Sequence, residues 1–300
     1  MFKTIWLWFL MNAAVILVIT VVFAILENVF WLRLDLYGQN YVSIWIYAAI
    51  VWFTGSFFSL LISKWMAKRA YNMTFLTEEN ESNLNSKERV VYNTVVALAR
   101  QNGIKTPEIA IYEDSEPNAF ATWPSKNNSL VAVSTGLLDA MDENAIEWVV
   151  GHEMAHVINW DMVTMTLLQW VLNTFVVFFA RVISNIIDNA TDWKLGVIGY
   201  YAVNILLQIL FGILASLISS KFSRYREYKA DAGSAKFVWK EKMIAWLQAL
   251  KAMKNIVHTK DWEELAAMKI SSKKWFWILA LFSTHPDLED RIRALEELRV

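Results

Sequence analysis

The stretch LGVIGYYAVNILLQILFGILASLISS, residues 195–220, contains no charged side chain. About 20 consecutive apolar residues are enough for a helix to cross a bilayer, so this stretch predicts a transmembrane helix. Three other blocks have the same character: residues 4–26 and 36–63 are uncharged, and residues 162–187 carry only Arg181. The sequence therefore predicts four membrane-spanning helices, with a long helix buried in an apolar groove as the alternative for residues 162–187.

The composition agrees with a membrane protein and excludes several other classes. Of the 300 residues, 56% are hydrophobic and only 19% are charged, whereas soluble proteins carry about 25% charged residues. The 28 basic and 29 acidic residues leave a net charge of −1, which argues against nucleic acid as a partner. Because there is no cysteine, disulfides, thiol nucleophiles and thiolate metal ligands are excluded. A metal ion would have to be held by His, Asp or Glu.

The charges that flank the apolar blocks predict their orientation. Cations precede block 4–26 and follow blocks 36–63 and 195–220, while the short loops between paired blocks are more acidic than basic. The positive-inside rule then places both termini and the central segment in the cytoplasm of a multi-pass protein of the cell (plasma or inner) membrane. The predicted organisation is two spans in 1–64, a cytoplasmic segment 65–161, two spans in 162–220 and a cytoplasmic helical segment 221–300.

The cytoplasmic segment between the paired spans is predicted to contain both helices and strands. Apolar residues at helical spacing predict a helix that Ser86 caps and that ends near Asn102. Asp142 can cap a second helix that runs toward Asn159. Short β-like runs lie between the two helices, at residues 108–112, 119–122 and 130–134. The protein is therefore expected to be mainly α, with a small α+β domain outside the membrane.

The helix after Asp142 contains GHEMAH, residues 151–156, which has the pattern H-E-x-x-H. Residues four apart share one helix face, so His152 and His156 can offer imidazole nitrogens to the same metal ion. Glu153 lies about 100° around the helix from His152, and can accept a proton from a water that the metal activates without being a ligand. The alternative is a chance occurrence of the pattern on an ordinary amphipathic helix.

A catalytic zinc site needs a third protein ligand and an open position. The run SRYREYKAD, residues 223–231, is the best source of that ligand, because antiparallel third and fourth spans would return it to the membrane surface that holds the H-E-x-x-H helix. Glu227 and Asp231 share a helix face, so one can bind zinc while the other hydrogen-bonds a ligating imidazole. The alternative is a basic helix next to the membrane whose acidic side chains are solvated.

Four motifs occur in a characteristic order: HEMAH, REYKAD, the run NAFAT at residues 118–122 and the run STHP at residues 283–286. Together they resemble the HtpX-type membrane zinc proteases of peptidase family M48, a group that includes the CAAX-processing Ste24 proteases. The resemblance extends over essentially the whole chain. It implies a zincin-like protease domain on the cytoplasmic side, one Zn²⁺ per subunit and Glu153 as the catalytic base. The implied zinc ligands are His152, His156 and Glu227. Asp231 is expected to hydrogen-bond one of the ligating imidazoles without binding zinc itself.

The resemblance also implies functional roles for residues outside the HEMAH and REYKAD motifs. A strand that begins at Asn118, Ala119 and Phe120 can pair with an extended peptide substrate beside the active-site helix. His285 can hydrogen-bond the oxyanion of the tetrahedral intermediate and so act as a second catalytic residue. The alternatives are a turn residue for Asn118 and a helix-entry cap for His285.

The implied function is that of a zinc endopeptidase for misfolded or damaged membrane proteins, serving quality control under stress. Its expected partners are protein or peptide substrates and the lipid bilayer. One alternative is a CAAX-type protease that processes prenyl peptides. Another is a non-catalytic membrane protein with a structural zinc site, although such a site would be closed by a fourth protein ligand.

The usage of tryptophan and glycine is unusual. Tryptophan occurs 16 times and glycine only 9 times among 300 residues, whereas glycine normally makes up about 7% of a protein. By resemblance, glycine is expected where Trp52, Trp123, Trp160 and Trp239 stand. We hypothesise that UGA codons of the gene encode glycine in its host; drift toward large aromatic residues is the alternative. The expected zinc ligands are the same under both interpretations.

Overall fold

The computed structural model describes residues 41–190, 196–237 and 286–298, with the pairs 240–241, 243–244 and 247–248, and describes side chains from residue 45 onward. The predicted span 4–26, His285 and Trp239 lie outside the described residues. In chain order the elements are α1 (Tyr41–Ala70), β1 (Met73–Leu76), a 3₁₀ helix (Glu78–Asn83), α2 (Ser86–Gln101), β2 (Glu108–Tyr112), β3 (Ala119–Ser125), β4 (Asn128–Ser134), α3 (Thr135–Ala140), α4 (Glu143–Ile158), α5 (Asp161–Ala190), α6 (Gly196–Phe237) and α7 (Leu288–Glu297).

The chain divides into two compact units, and each unit combines separate stretches of sequence. Met1–Ile62 and Val163–Ser219 make up the first, called the membrane unit, while Ser63–Met162 and Ser220–Val300 make up the second, called the site unit. The helices α1, α5 and α6 each run without interruption from one unit into the other.

Three helices of the membrane unit match predicted spans. Each of α1, α5 and α6 is long and apolar enough to cross a membrane, over Trp45–Ala70, Asp161–Ala190 and Gly196–Lys236. In α5, only 6% of the most apolar stretch is buried, so the described residues do not enclose this helix in an apolar groove. The indole N–H of Trp170 on α5 donates to the carbonyl of Ala49 on α1 at 2.9 Å. Arg181, the one charge in the third apolar block, lies with its guanidinium 4.9 Å from the ring centre of Tyr47.

A mixed four-stranded sheet is the centre of the site unit. Its strand order is β1-β2-β4-β3, so that β3 forms an edge among the described residues. β1 and β2 are antiparallel, β2 and β4 are parallel, and β3 and β4 are antiparallel. Parallel pairing of β2 with β4 requires a crossover, which the antiparallel strand β3 provides.

Both faces of this sheet are covered, which explains why its two central strands are apolar on both faces over residues 109–111 and 130–133. Side chains alternate along β2 and β4, and one face packs on α2 and α4 through Ile109, Val131, Val95 and Ile146. The opposite face carries Ala110, Tyr112, Leu130 and Ala132, and packs against Ala67 near the end of α1 and Phe120 of β3.

The last turns of α1 are attached to the sheet by ionic contacts as well. Lys64 lies 3.0 Å from the Glu108 carboxylate and donates to the Asn128 side chain at 2.8 Å, and Lys68 also pairs with Glu108. Burial alone would raise the pKa of Glu108, but hydrogen bonds from Lys68 and Lys64 lower it below its ordinary value. The last turns of α1 are thereby fixed to the sheet within the site unit.

Most predicted elements outside the membrane are confirmed, with shifted boundaries. α2 covers the predicted helix, but its N-cap is Asn85, which forms a capping box with Glu88, and not Ser86 as predicted. Asp142 caps α4 as predicted, accepting from Ala145 N. β1 and α3 were not predicted. The strongest difference is α6, which continues to Phe237 as one helix, whereas the sequence suggested a boundary at residue 220.

Candidate metal centre

The two histidines of the H-E-x-x-H motif lie on the same side of α4. This helix forms because Asp142 caps its first turn and because Ile146, Val150 and Met154 bury its inner face. The ring nitrogens Nε2 of His152 and His156 lie 3.2 Å apart. The side chains of His152 and His156 are only 9% and 12% exposed, so both rings are held in a largely dry environment.

Glu227 of α6 meets both rings. One carboxylate oxygen lies 3.5 Å from His152 Nε2, and the other lies 3.5 Å from His156 Nε2. His152, His156 and Glu227 each offer one possible ligand atom, and these three atoms all lie within 4.8 Å of one another. The structure thus brings together the three residues that the sequence nominated as metal ligands, from positions far apart in the chain.

The second nitrogen of His152 lies beside the carboxylate of Asp231, which Arg291 in turn holds in place. Its Nδ1 lies 2.9 Å from a carboxylate oxygen of Asp231. Arg291 of α7 donates to both oxygens of Asp231, from Nε at 2.7 Å and from Nη2 at 2.6 Å. The sequence predicted Asp231 in this place. It did not predict Arg291, which is 8% exposed and lies six residues after the proposed oxyanion residue His285.

The second nitrogen of His156 has an equivalent partner that sequence reasoning missed. Its Nδ1 lies 2.6 Å from Asp161 Oδ2, and Asp161 is only 4% exposed. The backbone oxygen of Asp161 accepts a hydrogen bond from Arg226 of α6 at 3.2 Å. The sequence does show an acidic residue, Asp161, five positions after His156. A sequence pattern does not show that the turn between α4 and α5 brings this residue beside the ring.

These carboxylates shift the pKa values of both rings. Burial lowers the pKa of His156, but hydrogen bonds with Asp161 and Glu227 raise it, to about 10. Burial also lowers the pKa of His152, but hydrogen bonds with Asp231 and Glu227 bring it above its ordinary value. The surroundings therefore favour positive charge at the place where the three donors meet.

Glu153 points toward the edge strand of the sheet. Its Oε2 accepts a hydrogen bond from the backbone N–H of Ala121 on β3 at 3.0 Å. Hydrogen-bonded residues alternate along an antiparallel pair, and Asn118 is bonded to Ser134. Ala119 and Ala121, opposite Val133 and Val131, therefore direct their backbone groups away from β4 toward the free edge.

The predicted substrate residues occupy different places along this strand. The backbone N–H of Asn118 donates to the Ser134 hydroxyl at 2.9 Å, and Phe120 lies opposite Ala132 of β4. The Phe120 ring packs on Tyr112 and Tyr71, with ring centres 5.5 and 5.6 Å away. Among these predicted residues, only Ala119 has its backbone at the free edge. His285 lies outside the described residues, and the cap of α7 is Asp287.

Two of the unusual tryptophans border this site. Trp160 has φ of 62° and is the non-glycine residue with positive φ among those described; glycine adopts this conformation most easily. Trp123 is 1% exposed, and its indole N–H finds no hydrogen-bond partner within the described part of the chain. Glycine at these positions remains a prediction, which peptide mass spectrometry of protein from the native host can test.

Comparison with known proteins identifies the family. The model of peptidase family M48 matches residues 85–299, a range that contains every residue of the cluster. This chain belongs to peptidase family M48. It is 45% identical to the protease HtpX homolog of Methylacidiphilum infernorum, over 99% of each chain. It is 44% identical to the homolog of Bacillus licheniformis, over 98% of this chain and 99% of that one. The resemblance to HtpX-type proteases is therefore confirmed.

A solved structure supports the fold of this M48 peptidase. The crystal structure of S. mikatae Ste24p matches 96% of this chain and 66% of that one, with a TM-score of 0.59 and 17% identity. M48 proteins are metallopeptidases, and the cluster of His152, His156 and Glu227 can hold a metal ion.

Proposed function

We propose that this M48 peptidase is a membrane-embedded zinc endopeptidase that cleaves misfolded or damaged membrane proteins at the cytoplasmic surface. The observation that carries the proposal is the convergence of His152, His156 and Glu227. Two imidazoles and one glutamate are a ligand set of catalytic zinc sites, in which a further position stays open for water or substrate. A purely structural site would have a fourth protein ligand, and within the described residues three donors form this cluster.

The surroundings of the cluster fit a divalent cation. The raised pKa values of both histidines reflect the nearby carboxylates of Glu227, Asp231 and Asp161. Histidine must give up the proton on its ligating nitrogen to bind a metal, so a cation would replace the protons that these carboxylates favour. Carboxylates on the two Nδ1 atoms leave the facing Nε2 atoms free to ligate.

The proposed reaction divides the work between the metal and Glu153. Zinc, when bound, acts as a Lewis acid toward a carbonyl oxygen and lowers the pKa of water to about 7. The Glu153 carboxylate is next in sequence to His152 and is not part of the three-donor cluster, so it is available as a base. It would accept a proton from water and return it to the leaving amine nitrogen.

The free edge of β3 supports an extended peptide as the substrate. The outward backbone groups of Ala119 and Ala121 can form a ladder with such a peptide. Because the Ala121 N–H is bonded to Glu153, a peptide carbonyl that pairs with Ala121 would take the place of Glu153 as acceptor. Direct substrate contacts of Asn118 and Phe120, and the oxyanion role of His285, stay predictions.

The first test is cleavage by detergent-purified protein that receives zinc after purification. We expect the zinc-loaded protein to cleave casein and a destabilised membrane protein, and to lose this activity with a chelator. A prenylated CAAX peptide distinguishes the main alternative. Cleavage of the prenylated peptide without cleavage of the unfolded proteins would favour the CAAX-type function, and zinc binding without any hydrolysis would favour a non-catalytic site.

The proposed membrane topology can be tested with single cysteines, because the chain has none of its own. We propose a multi-pass protein with four spans, whose termini and active site are cytoplasmic. Cysteine at Asn127 or Lys260 is expected to resist an impermeant thiol reagent in intact cells and to react after lysis. Cysteine at Asn189, in the last turn of α5, should react in intact cells. Labelling at Lys260 before lysis would contradict this orientation.

A further inference from the structure

The turn between α4 and α5 connects the H-E-x-x-H motif to Asp161 with an unusual backbone. α4 ends at Ile158, Asn159 is its C-cap, and α5 begins at Asp161. Between them stands Trp160, with φ of 62°. In an uninterrupted helix, a residue five positions after His156 would lie about 140° around the axis from it. The left-handed residue breaks the helix and allows Asp161 to lie beside His156.

We propose that Asp161 is a positioning residue of the metal site and that the left-handed conformation of residue 160 places it. This inference rests on the proposed zinc site. The Asp161 carboxylate lies 2.6 Å from His156 Nδ1, so it keeps a proton on that nitrogen and directs Nε2 toward Glu227. A carboxylate on the second nitrogen fixes both the tautomer and the orientation of a ligating ring.

The same turn is tied to the helix that supplies the third ligand. Arg226 donates to the backbone oxygen of Asp161 at 3.2 Å, and the next residue, Glu227, faces His156 at 3.5 Å. Of these consecutive residues of α6, Arg226 therefore holds the turn, and Glu227 completes the donor cluster. A displaced Asp161 would release the His156 ring and remove one contact that sets the distance between α4 and Glu227.

The residue at position 160 is poorly suited to its conformation. Bulky side chains at positive φ are strained, and glycine is not. The Trp160 side chain is 43% exposed, with Lys126 Nζ 5.1 Å from its ring centre, so its removal leaves no large cavity. Position 160 can thus be varied to change the backbone preference without touching the ligands.

The test measures zinc affinity of purified full-length protein by competition with a chromophoric chelator. We expect Asp161→Ala to weaken zinc binding about 10- to 100-fold, the usual effect of losing such a supporting contact. Asp161→Asn should fall between this variant and the parent, because its amide oxygen can still accept from Nδ1. Asp139→Ala, which removes an exposed carboxylate of α3, is the control and should leave zinc affinity unchanged.

Position 160 supplies the decisive comparison. Trp160→Gly should bind zinc at least as tightly as the parent, while Trp160→Val, whose β-branched side chain opposes positive φ, should bind it several-fold more weakly. In the Asp161→Ala background the valine change should have no further effect, because both changes act through the same contact. Circular dichroism of each variant identifies loss of folding.

The outcomes separate this inference from the proposed function. Unchanged zinc affinity in folded Asp161→Ala, or additive effects of the valine and alanine changes, would overturn the inference. Because zinc affinity is read without substrate, these results are independent of proteolysis. A parent protein that binds zinc but cleaves nothing would contradict the proposed function alone.

Discussion

Replacing Glu153 by glutamine is expected to remove peptide hydrolysis while leaving zinc binding intact. Glutamine keeps the size of the side chain but cannot accept the proton from water. Loss of a general base typically slows a reaction about 10²- to 10⁴-fold, so turnover of a fluorescent casein substrate should fall to near background. Zinc content, measured by atomic absorption after gel filtration, should stay at one ion per chain because the three ligands remain.

Glu147→Gln is a suitable control for this experiment. Glu147 lies on the same helix α4, and its half-buried side chain is not part of the cluster. The control should retain the activity of the parent protein. This result would show that the loss of a negative charge on α4 is not by itself the cause of the lost hydrolysis in Glu153→Gln. Cleavage by Glu153→Gln at the parent rate would mean that another group is the base.

Replacing Glu227 by alanine is expected to remove both zinc and activity. Loss of a supporting contact costs about 10- to 100-fold in metal affinity, and loss of a direct ligand should cost more. Chelator competition on the purified variant measures this affinity directly. The two histidines alone would then retain zinc weakly, and activity should not be restored by stoichiometric zinc.

Lys229→Ala, two residues further along α6 and exposed, serves as the comparison for Glu227→Ala. It should bind zinc like the parent protein. If Glu227→Ala still carries one tightly bound zinc ion, the third ligand must be another residue. Asp231 would then be the next candidate, because it already lies 2.9 Å from His152.

The predictable parts of this protein are those with a local or repetitive signal. Long apolar blocks with at most one charge predicted α1, α5 and α6, and the spacing of His152 and His156 predicted their shared helix face. Placing Glu227 beside them required a tertiary argument, namely that two antiparallel spans return to the same membrane surface. Family resemblance independently nominated the same residue.

The parts that were missed depend on contacts that a linear pattern does not contain. Asp161 reaches His156 only because residue 160 is left-handed, and Arg291 reaches Asp231 from the far end of the chain. β1 has only four residues, MTFL, and the last two are both apolar, so it lacks the strict alternation by which strands are recognised. The extension of α6 to Phe237 was hidden because the hydropathy changes at residue 220 while the helix does not.

Among the described residues β3 is an edge strand, which has a consequence for how substrates would be chosen under the proposed function. A strand edge binds the backbone of a peptide. A substrate protein (the client) can therefore bind there only through a segment whose own backbone hydrogen bonds have been broken. When such opening is fast, cleavage follows the equilibrium population of the open form, and each additional 1.4 kcal/mol or so of local stability reduces that population about tenfold. Selection would then depend on the folding thermodynamics of the client. Two membrane proteins with the same sequence around the scissile bond would be degraded at different rates if they differ only in how often that segment opens.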